Sequence, residues 1–594
     1  MFIFDSQSEF FRYPQGGIRI NQEIKIKIYI KKSFVQRPII RIEKRHDYNS
    51  RFCKEVPTEW IGTEKSYDLY KGSFAVKDCG QYYYKFIFDE NVESQPYELL
   101  IYEESYATPQ WIKGGIIYHI FADRFYKTRT LKKNRDIIIR NDWGGIPNFL
   151  PDEEGEIKNN DFFGGNLEGI KEKLPYLSNI GVTALYLSPI FDAYSNHKYD
   201  TGDYLSIDPM FGDEESFAEL CKKAEDCGIG IILDGVFSHT GVDSIYFNKY
   251  GYYNSLGAYQ SQSSPYYDWY IFNKWKDDYE SWWGIKTLPA VNKACEDYIN
   301  FISGENGVLK YWQKRGVKGW RLDVADELPD EFIEKLRMAV KEQNNEAFIV
   351  GEVWEDAANK FSYGKLKKYL SGKQLDSVTN YPLRNAIIDY IKNRDCGLLY
   401  STMNFIIEKY PPQTVNCLMN ILGTHDTARI LTVLGCRETP QKKNERAVYK
   451  LDSKELEKGI QLLKIASLLQ FTLPGVPCIY YGDEAGVEGF EDPFNRACFP
   501  WENENKEILS HYKMLSELRK NKLFAEGKYK CLLHEAEVFA FERYYDNEKI
   551  IIAVNMSEDT ITLRLKENMK EYYGSSTGTS FNLNSEEYLV LFNG

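Results

Sequence analysis

Eight short apolar runs, most of them separated by stretches of helical period, fill the chain from Thr108–Pro109 to about Leu523. The runs are "GGIIYHIFADRF", "GVTALYLSPIF", "GIGIILDGVF", "GVKGWRLDVAD", "EAFIVGEVW", "LDSVTNYP", "CLMNILGTHD" and "GVPCIYYGDE". Each reads as a short buried strand. Segments such as "SFAELCKKAEDCG" and "DEFIEKLRMAVKEQ" carry the apolar stripe of an amphipathic helix. Eight strand-then-helix units is the count of a closed (β/α)8 TIM barrel.

The 594 residues are too many for one ordinary core. Residues 1–104 alternate in the strand period: "EIKIKIYI" puts Ile24, Ile26, Ile28 and Ile30 on one face, with Lys25 and Lys27 on the other. That stretch reads as a small N-terminal β-sandwich. The barrel domain then covers 105–523. Within it residues 240–292, rich in Tyr, Ser, Asp and Trp, form an insertion after strand three, long enough to be a functional subdomain. Strand alternation returns in 524–594, as in "KIIIAVNMSEDTITLRL", which reads as a C-terminal all-β domain. The expected class is α/β, with a β domain at each end.

A net charge of −13 argues against nucleic acid or an anionic membrane as partner. No apolar run approaches the roughly 18 residues that span a bilayer. Eleven cysteines, scattered and without a CxxC pair, suit reduced thiols better than a disulfide framework or a zinc site. With no signal-like segment in "MFIFDSQSEFFRYPQGG", a cytoplasmic protein is expected. The 45 tyrosines suit stacking on sugar rings or an aromatic β core.

Three carboxylates end three of these apolar runs: Asp323 in "GVKGWRLDVADE", Glu352 in "FIVGEVWED" and Asp426 in "CLMNILGTHDTAR". A parallel barrel gathers its strand ends at one face, where such folds do chemistry. Carboxylates converging there are what cleavage of a glycosidic bond requires; neighbouring strands about 4.8 Å apart suit the roughly 5–5.5 Å of a retaining pair. Arg321, two residues before Asp323 on the same face, can hold that carboxylate ionised. Three of only seven histidines, His197, His239 and His425, fall inside these strings or the related "HKYDTGDY".

The order of these strings resembles the α-amylase family of glycoside hydrolases (family 13), most closely its neopullulanase, cyclomaltodextrinase and maltogenic-amylase group, over essentially the whole chain. The resemblance implies a retaining hydrolase of α-1,4, and possibly α-1,6, bonds in maltooligosaccharides, cyclodextrins, pullulan or starch fragments. Asp323 resembles the nucleophile, Glu352 the general acid and base, and Asp426 the third carboxylate. His239, His425 and Tyr199 resemble the residues that bind and underlie the attacked ring, and Asp492 and Arg496 a pair holding a further glucose. Arg321 and Trp354 join the substrate-binding set, with Asp234 a structural partner of Arg321. Trp282 and Trp283 are either core or lining of the acceptor side. A 4-α-glucanotransferase, an oligo-1,6-glucosidase and a non-catalytic glucan-binding protein are the alternatives. The N-terminal domain resembles a starch-binding module that in relatives supports a homodimer.

Several positions depart from the resemblance. Relatives often carry a calcium site after the "DRF" string; here "DRFYKTRTLKKNRD" supplies lysines and arginines, and Asn166 stands in "FFGGNLEGI" where aspartate is common. A hard cation needs several oxygen ligands, so no calcium is expected at that site and no redox or group-carrying cofactor is implied, while an ion bound elsewhere stays open. Ser238, Asp326 and Glu355 also differ, and the last two flank the carboxylates on the side of the acceptor sugars.

Overall fold

A computed structural model describes all residues except 1, 34–36, 90–91, 154 and 594. Its centre is an eight-stranded parallel sheet: β1 (Ile117–Ile120), β2 (Ala184–Leu187), β3 (Gly230–Gly235), β4 (Val317–Leu322), β5 (Phe348–Gly351), β6 (Ser377–Val378), β7 (Met419–Ile421) and β8 (Val476–Tyr480). Neighbours pair in chain order, β8 pairs with β1, and a parallel bridge from Thr379 to Met419 joins β6 to β7. The barrel is closed, and every expected strand string contributes one strand.

Alternation along the strands sorts their side chains into two cores. Ile117, Ala184, Ile232, Phe348, Val350, Met419 and Val476 share one cluster, the barrel interior. Leu185, Ile231, Leu233, Leu322 and Ile349 join the larger cluster beneath the helices. Burial on both faces explains why the strands read as continuous apolar runs. The helices start where the local chemistry says they should. Asp213 and Ser216 form a reciprocal cap for Glu214–Asp226, and Asp452 and Glu455 one for Ser453–Thr472.

The N-terminal part is two sheets around one core. One contains Ile24–Lys31 and Tyr67–Phe74, the other Ile39–His46 and Gly80–Asp89. Ile24, Ile26, Ile28 and Ile30 all lie in that core. The module is fastened to the barrel domain: Arg12 donates to the Glu408 carbonyl at 2.8 Å, Lys409 pairs with Glu98, and Tyr48 stacks on Phe361 at 4.9 Å. Residues 239–292 contain no α-helix; a bridge from His239 to Ala290 ties the insertion's ends together, and one from Tyr270 to Val291 joins its middle to its last residues. The chain closes in a six-stranded antiparallel sheet, Lys528–Glu535 through Glu587–Phe592. Among the described residues no helix is long and apolar enough to cross a membrane.

Candidate active site

Asp323 and Glu352 are each the first residue past a barrel strand, β4 and β5. Asp234 lies on β3 beside Arg321 on β4, in register. One guanidinium joins the three: Arg321 Nη1 donates to Asp234 Oδ1 at 2.8 Å and Asp323 Oδ1 at 2.7 Å, while Nη2 lies 2.9 Å from Glu352 Oε2. The chain after Asp323 turns sharply, with Val324 at φ +40°. That is a strained conformation for a β-branched residue, and here it lets the Val324 amide donate to Glu352 Oε2 at 2.9 Å.

This geometry changes the expected role of Arg321. Its side chain is almost wholly buried and its donors face carboxylates, so its contacts are those of a residue that holds the acids in place. At Asp323 it acts against burial. Burial pushes that carboxyl well above the ordinary carboxylate range; Arg321 pulls it down, while Glu352 and Asp234 push it up again. Burial also raises Asp234, against the pull of Arg321 and hydrogen bonds from the Tyr186 hydroxyl at 2.6 Å and the Tyr199 hydroxyl at 2.9 Å. Asp234 is the partner of Arg321 that the sequence suggests.

The Tyr199 ring stacks on His425 at 5.0 Å, almost parallel. The Tyr199 carbonyl lies 3.0 Å from His239 Nε2, and Ser238 Oγ lies 2.9 Å from His239 Nδ1. Both ring nitrogens of His239 therefore have protein partners. Ser238, the departure at this position, supplies one of them. His425 Nε2 is 3.1 Å from Asp426 Oδ2, and its buried Nδ1 has no protein partner. Burial holds His239 and His197 down to about 4, and His119 and His425 well below the ordinary histidine range. These rings are neutral at pH 7, so His425 meets Asp426 through a hydrogen bond and not as an ion pair.

Asp426 is the open member of the set, with 34% of its side chain exposed. Arg496 Nη1 is 2.9 Å from Asp492 Oδ1, its Nη2 is 3.8 Å from Asp426 Oδ1, and its Nε donates to the His425 carbonyl at 3.1 Å. Trp354 stacks on Tyr381 at 3.9 Å and remains 46% exposed. All ten candidate residues thus lie in one contiguous neighbourhood above the strand ends, or on the loops that frame it.

Some participants were not singled out from the sequence. His119 on β1 lies 2.9 Å from Ser188 Oγ and edge-on to His425 at 5.3 Å. Asn495 Nδ2 donates to the carbonyls of His425 at 2.7 Å and Thr427 at 2.9 Å, pinning the Asp426 loop. Lys360 pairs with both Glu355 and Asp326. The available signal was polarity inside a buried strand: His119 and Tyr186 interrupt otherwise apolar runs.

Beside this site lies a cavity of about 1070 Å³, lined by Trp282, Trp283, Asp326, Glu327, Tyr363 and residues of the N-terminal sheets. The catalytic carboxylates do not line it; Trp282 connects the two, packing on His239 at 5.2 Å. The loop expected to carry calcium in relatives is closed by protein atoms. Thr128 donates to Asn166 Oδ1 at 3.0 Å, and the same oxygen caps a helix through the Gly169 amide at 2.8 Å. Its residues do not fit a hard cation, and among the described residues no group of three His, Cys, Asp or Glu side chains could hold a metal ion.

Residues 119–517 match the family described as "Alpha amylase, catalytic domain". The chain is 31% identical to the cyclomaltodextrinase of Thermoanaerobacter pseudethanolicus, over 95% of this chain and 94% of that one. It is 35% identical to the amylopullulanase of Thermoanaerobacterium saccharolyticum over 93% of its own length, but spans only 48% of that larger protein. A solved cyclomaltodextrinase structure superposes over 100% of this chain and 99% of its own, with a TM-score of 0.70 at 26% identity. With its closed barrel, its carboxylates at the strand ends and this sequence match, the chain belongs to the α-amylase family of glycoside hydrolases.

Proposed function

We propose that the protein hydrolyses α-glucosidic bonds of short glucans with retention of configuration, through Asp323, Glu352 and Asp426. The observation that carries this reading is the pair Asp323 and Glu352 gripped by two nitrogens of the same guanidinium. Sharing one guanidinium sets the two carboxyl groups side by side, which supports a nucleophile working with its acid rather than two acids on opposite faces of the sugar. Burial and the neighbouring carboxylates raise Asp323, and burial raises Asp234, against the pull of the one guanidinium. Asp234 already accepts two tyrosyl hydroxyls, which leaves Asp323 and Glu352 as the pair available for the reaction.

In the first step Asp323 attacks the anomeric carbon while Glu352 gives its proton to the departing glycosidic oxygen. Glu352 then takes a proton from water, which displaces Asp323 and restores the α configuration. Asp426, open to the cleft, orients hydroxyls of the bound ring, and the Tyr199 face underlies it. Asp492 with Arg496 holds a glucose on the donor side. Trp354 and the cavity beside Trp282 take the acceptor sugars. Maltooligosaccharides, cyclodextrins and pullulan fragments fit a cleft narrowed by the insertion and the N-terminal sheets; names such as cyclomaltodextrinase and neopullulanase among the relatives support that range.

No cofactor takes part in this scheme. All eleven cysteines are free, which suits a reducing, cytoplasmic setting. Pairing of two copies through the N-terminal sheets is part of the proposal, supported by the exposed edge strand Asn49–Pro57. Light scattering that shows only monomer at micromolar concentration refutes that part alone.

Incubation with maltohexaose decides the reaction. Rising reducing ends mean hydrolysis, redistribution of chain lengths at constant reducing ends means a 4-α-glucanotransferase, and no change means a glucan binder. The first outcome is expected, with products released as the α-anomer.

A further inference from the structure

The segment after β1 sends a lysine into a cage of oxygens. Lys133 Nζ has three N–H groups, and three acceptors meet them: an Asp192 carboxylate oxygen, the Ala193 carbonyl at 2.7 Å and Asp208 Oδ2 at 2.6 Å. The side chain is 2% exposed. Lys198 is fully buried and reaches the same Asp208 oxygen at 2.7 Å and the same Ala193 carbonyl at 3.2 Å. Two ammonium groups therefore face two carboxylates, and the cage is neutral. Asp208 is fixed further by the amides of Ala193 at 3.2 Å and Met210 at 2.8 Å. Two residues on from Lys133, Arg135 pairs with Asp243 and donates to the Tyr253 hydroxyl at 3.0 Å, and that hydroxyl bonds Asp192.

The cage sits at the base of a hairpin. Phe191–Ala193 pairs antiparallel with Thr201–Ile207, and the turn between them carries Lys198 and Tyr199. Lys198 has φ +65°, a left-handed conformation disfavoured for a lysine and kept here by its buried contacts. From that turn Tyr199 reaches three parts of the active site: Asp234 through its hydroxyl, His239 through its carbonyl and His425 through its ring. A point where carboxylates from separate loops converge is where many proteins place a structural divalent ion. Here the charge is covalently attached.

We propose that Lys133 and Lys198 act as an internal two-charge cation that positions the Tyr199 hairpin for catalysis, in place of a bound metal ion. Removing Lys133 leaves two carboxylates with one ammonium, and the turn loses its anchor. The activity readout rests on the glycosidase reading above; thermal unfolding of the same variants does not, so the two ideas fail separately.

The test uses the full chain. Lys133→Ala is expected to lower kcat/KM by about 10–100-fold, the usual effect of removing a partner that orients groups at a site, and to lower Tm. Ethylammonium or calcium chloride, each of which can occupy the vacated cage, is expected to restore a large part of both, while sodium chloride at equal ionic strength does not. The wild type is expected to keep its activity and Tm in EDTA. Should Lys133→Ala fail to fold, the charge-compensated Lys133→Ala/Asp192→Asn variant is expected to fold and to recover activity. The proposal is overturned if Lys133→Ala behaves like wild type, or if neither cation rescues it. It is equally overturned if the compensated variant stays unfolded, or if EDTA inactivates the wild type and calcium reactivates it.

Discussion

Arg321→Met would strand three buried carboxylates without their shared cation. Loss of one member of a buried ionic cluster costs roughly 3–5 kcal/mol, so chemical denaturation at pH 7 should show a loss of that order. The sign of its pH dependence follows from the direction of the shifts. Carboxyls whose folded pKa is raised favour the fold below their unfolded values, and that contribution fades as pH rises through the folded ones. The variant's deficit should therefore grow towards neutral pH and shrink as the solution is acidified. Equal deficits at pH 5 and pH 8 would show that Arg321 acts through packing alone. At the same scale, Asp323→Asn and Glu352→Gln should each lose about 10²–10⁴-fold or more in kcat on maltohexaose. They differ with an α-glucosyl fluoride, whose leaving group needs no proton. Glu352→Gln should still form a glycosyl-enzyme detectable by mass spectrometry, and Asp323→Asn should not. Tyr199 separates two roles as well: Tyr199→Phe keeps the platform and loses one hydroxyl on Asp234, whereas Tyr199→Ala loses both and should raise KM further.

At the scale of elements, the site consists of loops pinned by buried polar groups. Asn495 is wholly buried, and its single amide donates to backbone carbonyls on either side of Asp426. Asn495→Ala would take this donor from the Thr427 carbonyl, at about 1–3 kcal/mol, leave the His425 carbonyl to Arg496 alone, and would free the Asp426 loop. The expected result is a fall in kcat/KM larger than the fall in Tm alone explains, with Asn495→Asp recovering less than half, because a carboxylate cannot donate. A variant with normal turnover would remove Asn495 from any positioning role. The strands were legible because most of their residues are apolar on both faces and each ends on a turn or a carboxylate. The insertion was legible only as an interruption: its fold depends on isolated bridges and aromatic contacts between residues distant in sequence, such as Phe247 with Tyr270 and Tyr279. No periodicity encodes such contacts.

Across the whole molecule, buried histidines and buried acids pull stability in opposite directions with pH. His197, His239 and His511 are held down to about 4 by burial. Each favours the fold above the ordinary histidine value near 6.5, and that contribution is lost as pH falls towards 4, at about 1.4 kcal/mol per pH unit for each proton taken up. Glu484, raised by burial to about 7, and Asp483, raised to about 6, gain stability over the same interval because the fold prefers them protonated. Glu484→Gln removes one opposing contribution. Its unfolding free energy should therefore fall more steeply than the wild type's between pH 7 and pH 5; a shallower slope would contradict the burial assigned to Glu484.

The amino-acid order alone determined the count and sequence of barrel strands and the β modules at either end, and it singled out three carboxylates just past those strands, because hydrophobic period and strand-end chemistry are local properties. Three matters depended on side chains from distant segments meeting in space. Arg321 serves three acids at once, His239 has both nitrogens occupied by the protein, and Lys133 closes a cage with Asp192, Ala193 and Asp208. Each is a question of which donor finds which acceptor across tens or hundreds of residues. Only the closed barrel, by fixing where every loop begins and ends, answers it.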